Sequence, residues 1–536
     1  MGTMTNFVPR IGLILLLSTP LFSQVSTNGS LRGRIIDPSG LGVPEAKVGL
    51  TNAATAGGWS ALSDRDGSYQ FPRLTPGLYR LTVEKTGFRR AVRESVEVAV
   101  NETGVADVPL ALGESVEVVT VAGTAEIVQS QRVEIAGRVD ERRVRELPLN
   151  GKNFARLVHL APGVASGSPN NPSISGARPV ANSFSVDGVS ANDERGSNGL
   201  SLGGGGAAEF GGASPNLIST EAVQEFGIIT SNADASFGRG SGGQVNIITK
   251  SGSNAFHGSL YEYLRNSKLD ARDFFNYGPF FANDGSRRSV TPPFKQNLFG
   301  GTIGGPIVRN RHFFFGNYEG FRQKLEQTAA ATVPNAALIG LIPGEMGRLF
   351  RLFYIDRGIV PSTGNPAGSF SALPAGDRNA AVAGGFPSVL FNGNLADEEA
   401  GTVLLSTTNT RNVTQDSFLI RSDHQLTNRL NASARYAFSQ PSAIVNNRAV
   451  AGVVQENRRR WQSGMAQLVY AMTSSQIIEA RGGLLRSRLR DAPRDPIEKA
   501  LADFGVDSEL GLTIRANGTA LSPLVVPGST GFLDNQ

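Results

Sequence analysis

The chain has 536 residues, of which 40% are hydrophobic and 18% charged, and 51 Lys and Arg against 46 Asp and Glu leave a formal net charge of +5. That length accommodates several domains, and so small a charge imbalance excludes the basic footprint of a DNA or RNA binder. Cysteine is absent, which excludes disulfide scaffolds and thiolate zinc sites alike.

At the N-terminus, Arg10 precedes an apolar run at 11–17 that continues through Pro20, Leu21 and Phe22 to small Ser23. This predicts a secretory signal over residues 1–23. Nothing later supplies the roughly 18 consecutive apolar residues of a transmembrane helix, so any membrane insertion has to use strands.

Residues 30–36 and 46–50 flank the turn-rich Asp37-Pro38-Ser39-Gly40. Asp66-Gly67 is a hairpin signal, because Gly accepts positive φ and Asp hydrogen-bonds its own backbone. Tyr69 and Phe71 follow on one strand face. After the Pro76-Gly77 turn, Tyr79, Leu81 and Val83 alternate with Arg80, Thr82 and Glu84, the period of two of a half-buried strand. Short strands at this spacing predict a small antiparallel sandwich over 29–112. The run 63–79, with Thr86-Gly87-Phe88, resembles the carboxypeptidase regulatory-like domain that precedes certain outer-membrane receptors. The name implies no peptidase activity.

A β-prone segment bounded by glycines follows at 113–123. In TonB-dependent receptors, a short Val/Thr-rich peptide here, the TonB box, adds as a strand to a sheet of the energising partner. Glu117, Val118, Val119, Thr120 and Val121 fit that description; the other readings are a last edge strand of the sandwich or a plain linker.

From 124 to 252 the composition shifts to Gly, Ser and Asn. This part resembles the α/β plug domain of the same receptors, on residues 146–154, Leu160-Ala161-Pro162-Gly163-Val164, Phe184-Ser185-Val186-Asp187-Gly188-Val189 and, above all, 237–250. The resemblance implies that the loops at the outer end of the plug meet solute, making Asn170, Asn171, Asp193 and Arg195 the apical candidates. Gly238, Gly240 and Gly243 formally satisfy a dinucleotide fingerprint. That motif must open a helix, whereas here it leads into the strand-like 244–249.

The remainder, 253–536, alternates between faces. Leu430, Ala432, Ala434, Tyr436 and Phe438 share one side and Arg429, Asn431, Ser433 and Arg435 the other, after a partner strand at 418–426 and a tight turn at Thr427-Asn428. Further strands fall at 256–264, 294–304, 311–322, 461–470 and 476–488. Strands of about ten residues with one apolar face, tight turns at one end and long loops at the other are the signal of an outer-membrane barrel. Leu430 and Tyr436 are expected against lipid and Arg435 in the lumen. Phe313, Phe314, Phe315, Tyr318 and Phe321 are candidates for an interfacial aromatic girdle, and Arg458-Arg459-Arg460 for a solvated loop or interface cluster.

The expected fold is mainly β: a sandwich, an α/β plug and the first part of a barrel. The resembled receptors close a barrel of about 22 strands, against the seven drawn here. The sequence also lacks their terminal aromatic residue, so it reads as a fragment or truncated frame that should not insert stably alone. An enzyme is not expected. His159, His257, His312 and His424 form no zinc motif, Asp64-x-Asp66-Gly67 is an incomplete calcium loop, and no cofactor is called for. The resemblance implies an outer-membrane receptor that binds an extracellular solute, carbohydrate or metal chelate, and admits it when a TonB-type partner remodels the plug. The competing expectation is an adhesion or scaffold protein whose carbohydrate-binding-like sandwich uses Trp59, Tyr69 and Tyr79 for stacking, although two of these fit a core better.

Overall fold

The computed structural model describes residues 27–100, 102–113, 118–120, 135–147, 152, 154–168, 171–192, 217–233, 240–270, 293–334, 351, 402–427, 429–446, 454–472, 476–493, 514–516 and 519–521; the expected signal segment lies outside them. No helix among them is long and apolar enough to cross a membrane.

The N-terminal unit comprises β1 (Gly29–Ile36), β2 (Lys47–Asn52), β3 (Gly58–Leu62), β4 (Ser68–Leu74), β5 (Gly77–Glu84), β6 (Arg90–Val98), β7 (Thr103–Val105) and β8 (Val108–Pro109). One sheet runs β4-β1-β7, with β8 also on β1; the other runs β3-β2-β5-β6 and ends on β9 (Val118–Thr120). Asp64 Oδ1 accepts the amides of Asp66 and Ser68 at 3.0 and 2.7 Å, closing the anticipated turn. Tyr69, Phe71, Tyr79, Leu81 and Val83 bury their side chains between the sheets, as the period of two requires. Tyr69 Oη donates to Ala106 O at 2.5 Å and Tyr79 Oη to Thr75 O at 2.6 Å, so each phenol enters the core with its polar end satisfied. The sandwich is not purely antiparallel. β7 and β8 run parallel to β1, because the chain leaves β6 in one sheet and crosses to the other instead of turning back beside itself.

The middle domain contains β10 (Ile135–Val139), α1 (Glu141–Glu146), β11 (Val164–Ser168), β12 (Asn171–Ile174), β13 (Ser183–Val186), β14 (Val189–Ser190), β15 (Val223–Ser231) and β16 (Gln244–Thr249). Asp140 caps α1, its Oδ1 accepting the Arg143 amide at 2.8 Å. The sheet order is β10-β15-β16-β13-β14, with β13 and β16 parallel. All of β16 is buried, and Gly243 leads into this strand rather than a helix, so the glycine pattern holds no pyrophosphate.

The third unit is one antiparallel sheet in chain order: β17 (His257–Asn266), β18 (Phe294–Val308), β19 (His312–Pro334), β20 (Thr402–Gln425), β21 (Leu430–Asn446), β22 (Val454–Ala471) and β23 (Ile477–Pro493). The connections from β18 to β19, β20 to β21 and β22 to β23 are short and lie at one end of the sheet. Burial alternates as expected: Val413, Leu419, Arg435 and Ala437 face inward, while Ile420 and Tyr436 face outward.

Three expectations for this sheet change. First, β18 to β23 are 15 to 24 residues long, not about ten. The outer face explains the excess. Ile303, Gly316, Ile420, Tyr436, Gly464 and Leu484 lie in one row across neighbouring strands. Away from the short turns this apolar band gives way to outward polar groups, where Arg460 Nε donates to Gln440 at 2.9 Å and Arg322 Nη2 to Asp416 at 2.8 Å. The excess length of these strands therefore continues past the apolar row as a polar outer wall. Second, Phe313, Phe315 and Phe321 are buried on the inner face rather than in a girdle, while Phe314 and Tyr318 face outward; other outward aromatics include the cluster Phe418, Tyr436 and Phe438. Third, Arg458, Arg459 and Arg460 belong to β22, Arg459 inward and its neighbours outward, since the strand period continues through the charge run.

The middle domain sits against the concave inner face. One buried cluster joins its Phe184, Phe226, Ile228 and Ile247 to Phe315, Leu419, Ala437 and Trp461 of the sheet. Val189 fills the space above Gly483 so completely that a Cβ there falls inside the Val189 side chain. Gly483→Val is therefore expected to weaken this contact by about 1–3 kcal/mol, and Val189→Ala in the same chain to restore most of it. The urea midpoint of fluorescence from buried Trp461 reads both changes.

Candidate functional site

The contact between middle domain and wall centres on Asp187. The β13–β14 hairpin turns in two residues, Asp187 at φ 47 and Gly188 at φ 77, the double left-handed conformation that a tight right-twisted hairpin needs and that Asp-Gly adopts readily. The turn delivers the carboxylate to the sheet wall. Asp187 Oδ1 accepts the Thr249 amide at 3.0 Å and Oδ2 the Thr249 hydroxyl at 2.8 Å.

Two guanidiniums reach it from the wall. Arg435 Nε lies 2.8 Å from Oδ2 and Arg421 Nη1 3.4 Å from Oδ1. Arg421 and Arg435 are direct register partners on β20 and β21, both inward. Like charges in that arrangement repel; Asp187 bridges them, and Asp423 takes the other side of Arg421 at 2.9 Å. The group of four is neutral overall. Farther along the wall, buried Glu319 accepts Ser219 Oγ of the middle domain at 2.7 Å and Tyr261 Oη of β17 at 3.0 Å.

The sandwich is fixed to both other units at the short-turn end. Glu479 on β23 accepts Arg73 and, at 3.4 Å, Asn28, while Arg481 donates to Glu479 and, at 2.7 Å, to Thr27. Glu225 on β15 accepts the Val100 amide at 2.7 Å and Arg138 Nε at 2.9 Å; Arg138 also reaches Glu97 of the sandwich. Burial pushes the Glu225 carboxyl up from its ordinary range against the pull of Arg138 and the Val100 amide. For Arg138, burial pulls the guanidinium down, but Glu225 and Glu97 together outweigh it and the net shift is upward. The three units line an open cleft of about 620 Å³ that includes Trp59, Arg73, Glu221, Lys250, Arg421 and His424.

The sequence profile described as outer membrane beta barrel domain matches residues 248–535. The chain belongs to this outer-membrane barrel family. A carboxypeptidase regulatory-like domain profile matches residues 30–111. A curated relative, the TonB-dependent transporter Oar of Myxococcus xanthus, is 32% identical over 321 residues, 57% of this chain and 27% of the relative, so the chain spans about a quarter of the length of the curated relative it matches. Among solved structures, the outer-membrane transporter YddB from Escherichia coli overlays with TM-score 0.40 and 13% identity over 68% of this chain and 40% of that one. The ferric enterobactin receptor of Pseudomonas aeruginosa overlays with TM-score 0.37 and 15% identity over 67% and 41%.

In a barrel of this family the short turns are periplasmic and the long connections extracellular, so the sandwich lies on the periplasmic side. Of the candidate box, Val118, Val119 and Thr120 form β9 on the edge of the sandwich, while Glu117 and Val121 lie outside the described residues. Of the apical candidates, Asn171 opens β12, and Asn170, Asp193 and Arg195 lie outside the described residues. Tyr69 and Tyr79 are core residues of the sandwich, and Trp59 packs edge-on against Tyr79. Sequence reasoning did not single out Asp187, although an Asp-Gly turn followed by inward arginines on adjacent strands was a usable signal. Glu225 and Glu479 carry no local signal at all.

Asp187→Asn preserves the turn but leaves buried Arg435 without its anion and Arg421 with Asp423 alone, and is expected to destabilise the contact between middle domain and wall by about 3–5 kcal/mol; Arg435→Met in that background should recover part of the loss, both read as urea midpoints. At Glu225 the folded carboxyl titrates above its unfolded value, so its contribution is complete below the ordinary 4.5 and declines as pH rises through the folded value. Glu225→Gln should flatten that segment of the curve of melting temperature against pH.

Proposed function

We propose that this chain forms part of an outer-membrane transporter that takes an extracellular solute, carbohydrate or metal chelate, into the periplasm when a TonB-type partner remodels its plug. The observation that carries the reading is the plug–wall contact at Asp187. A domain meant to stay permanently in a barrel is served by an apolar seam; this one combines such a seam with a neutral ionic cluster whose members are all strongly solvated once separated. Breaking the cluster costs work that mechanical force can supply, and re-forming it restores the seal.

The chain's own residues then have distinct tasks. Arg421 and Arg435 hold the plug through Asp187, Glu319 holds it through Ser219, and Glu225 and Arg138 tie it to the sandwich. The partner binds residues 117–121 by strand addition, where backbone hydrogen bonds supply the affinity. The apical candidates Asn170, Asn171, Asp193 and Arg195 meet the solute. We read the protein as a carrier rather than an enzyme, in keeping with the curated relative described as a transporter.

In the full-length protein in outer membranes, removing residues 117–121 is expected to abolish uptake of a bound solute while leaving its binding at the cell surface intact. Undiminished uptake by the deletion variant overturns the assignment.

A further inference from the structure

The segment read as the partner's landing strand already has a partner. Its β9 portion lies parallel to β6, with Val118 beside Arg90, Val119 beside Ala91 and Thr120 beside Val92, as the outermost strand of a five-stranded sheet. The approach is secured as well. Arg89 donates its amide to Ala111 O at 2.8 Å, Gly113 to Gly87 O at 3.3 Å, and Phe88 and Leu112 form an isolated bridge.

The sheet that holds β9 cannot simply follow it under load. The sandwich is tied to the wall by Arg73 and Glu479 and to the plug by Glu97 and Arg138. A pull on residues 118–120 therefore loads the β6–β9 ladder itself, a three-residue pairing and the shortest register in that sheet.

We propose that the sandwich is a built-in competitor of the energising partner: its β6 edge occupies backbone groups of Val118, Val119 and Thr120, and the partner captures the segment only after that ladder opens. The proposal rests on the reading of 117–121 as the partner's landing strand. Competition follows because a strand already paired along one edge presents that edge to no one else, and apparent affinity falls in proportion to the fraction of chains with the strand released. Solute binding or a transient loosening of the sandwich can then set when the partner engages.

These 536 residues contain no cysteine, so an introduced pair meets no native thiol within them. In the full-length protein, Val92→Cys with Thr120→Cys places two thiols at partnered positions, Val92 being only half-buried. Binding to the partner's purified periplasmic domain is measured with the pair oxidised and again after reduction. Oxidation is expected to weaken binding at least about tenfold, and reduction to restore it, which also establishes that the variant is folded. Equal binding in both states overturns the proposal, since the partner then adds to the outer edge of β9 or binds elsewhere. The variant lacking residues 117–121 separates the two claims. If reduced protein binds equally well without that segment, the landing-strand reading fails; if deletion abolishes binding but oxidation does not, only the competition fails.

Discussion

Hydrocarbon offers a peptide group no hydrogen-bond partner, and the rest of this structure depends on that constraint. A chain without a long apolar helix meets it by pairing strands, so that β17 to β23 satisfy one another along a continuous ladder. Pairing fixes the alternation of side chains: one face belongs to lipid, and the opposite face, with the same number of positions, must be filled from inside. Ile420 and Arg421, or Tyr436 and Arg435, are consecutive residues in solvents as different as acyl chain and protein interior. The plug follows from the wall, because an inner face carrying Arg421, Arg435, Glu319 and Phe315 cannot be left to face another copy of itself.

How that inner face is filled sets what the protein can do. Phe315, Leu419 and Trp461 bury apolar area against Phe226 and Ile247, an interaction that is short-ranged, undirected and slow to yield. The ionic contacts differ in kind. Asp187 stabilises a juxtaposition of Arg421 and Arg435 that is unfavourable without it, and its position is set by a two-residue turn rather than by bulk packing. Geometry of this sort specifies one orientation of the plug and loses its energy within a small displacement. An interface built from both interactions is at once well packed and fixed in orientation.

The legible features were those that repeat at short range. Tyr79, Leu81 and Val83 announced a strand, and Leu430 to Phe438 announced both a strand and which side faces lipid, because a period of two survives any tertiary context that buries one face. Turn chemistry at Asp66-Gly67 was equally local. What escaped required knowledge of the other side. Phe313, Phe315 and Phe321 read as girdle candidates since an aromatic on a strand carries no mark of facing inward, and Arg458 to Arg460 as a solvated loop or interface cluster since three consecutive charges mask the alternation of the strand they belong to. Arg73 and Glu479 are separated by 406 residues, and Val100 and Glu225 by 125; no window along the chain contains either pair.

The sandwich brings these threads together. Its own core is complete, with Leu31, Leu50, Phe71 and Tyr79 buried between two sheets, so it has no need of the plug to fold. It nevertheless meets the plug through Arg138, one guanidinium that serves Glu97 on one domain and Glu225 on the other. Glu225 is buried and Glu97 about half-exposed, so the two ion pairs of Arg138 differ in strength, and the Val100 amide of the sandwich also holds Glu225 directly at 2.7 Å; separating the domains releases Glu97 at little cost but breaks that buried hydrogen bond as well. The link is thus part exposed ion pair and part buried hydrogen bond, and the buried part sets its strength. A domain with its own core, attached to its neighbours through polar groups such as these, owes its position to the links and its fold to none of them.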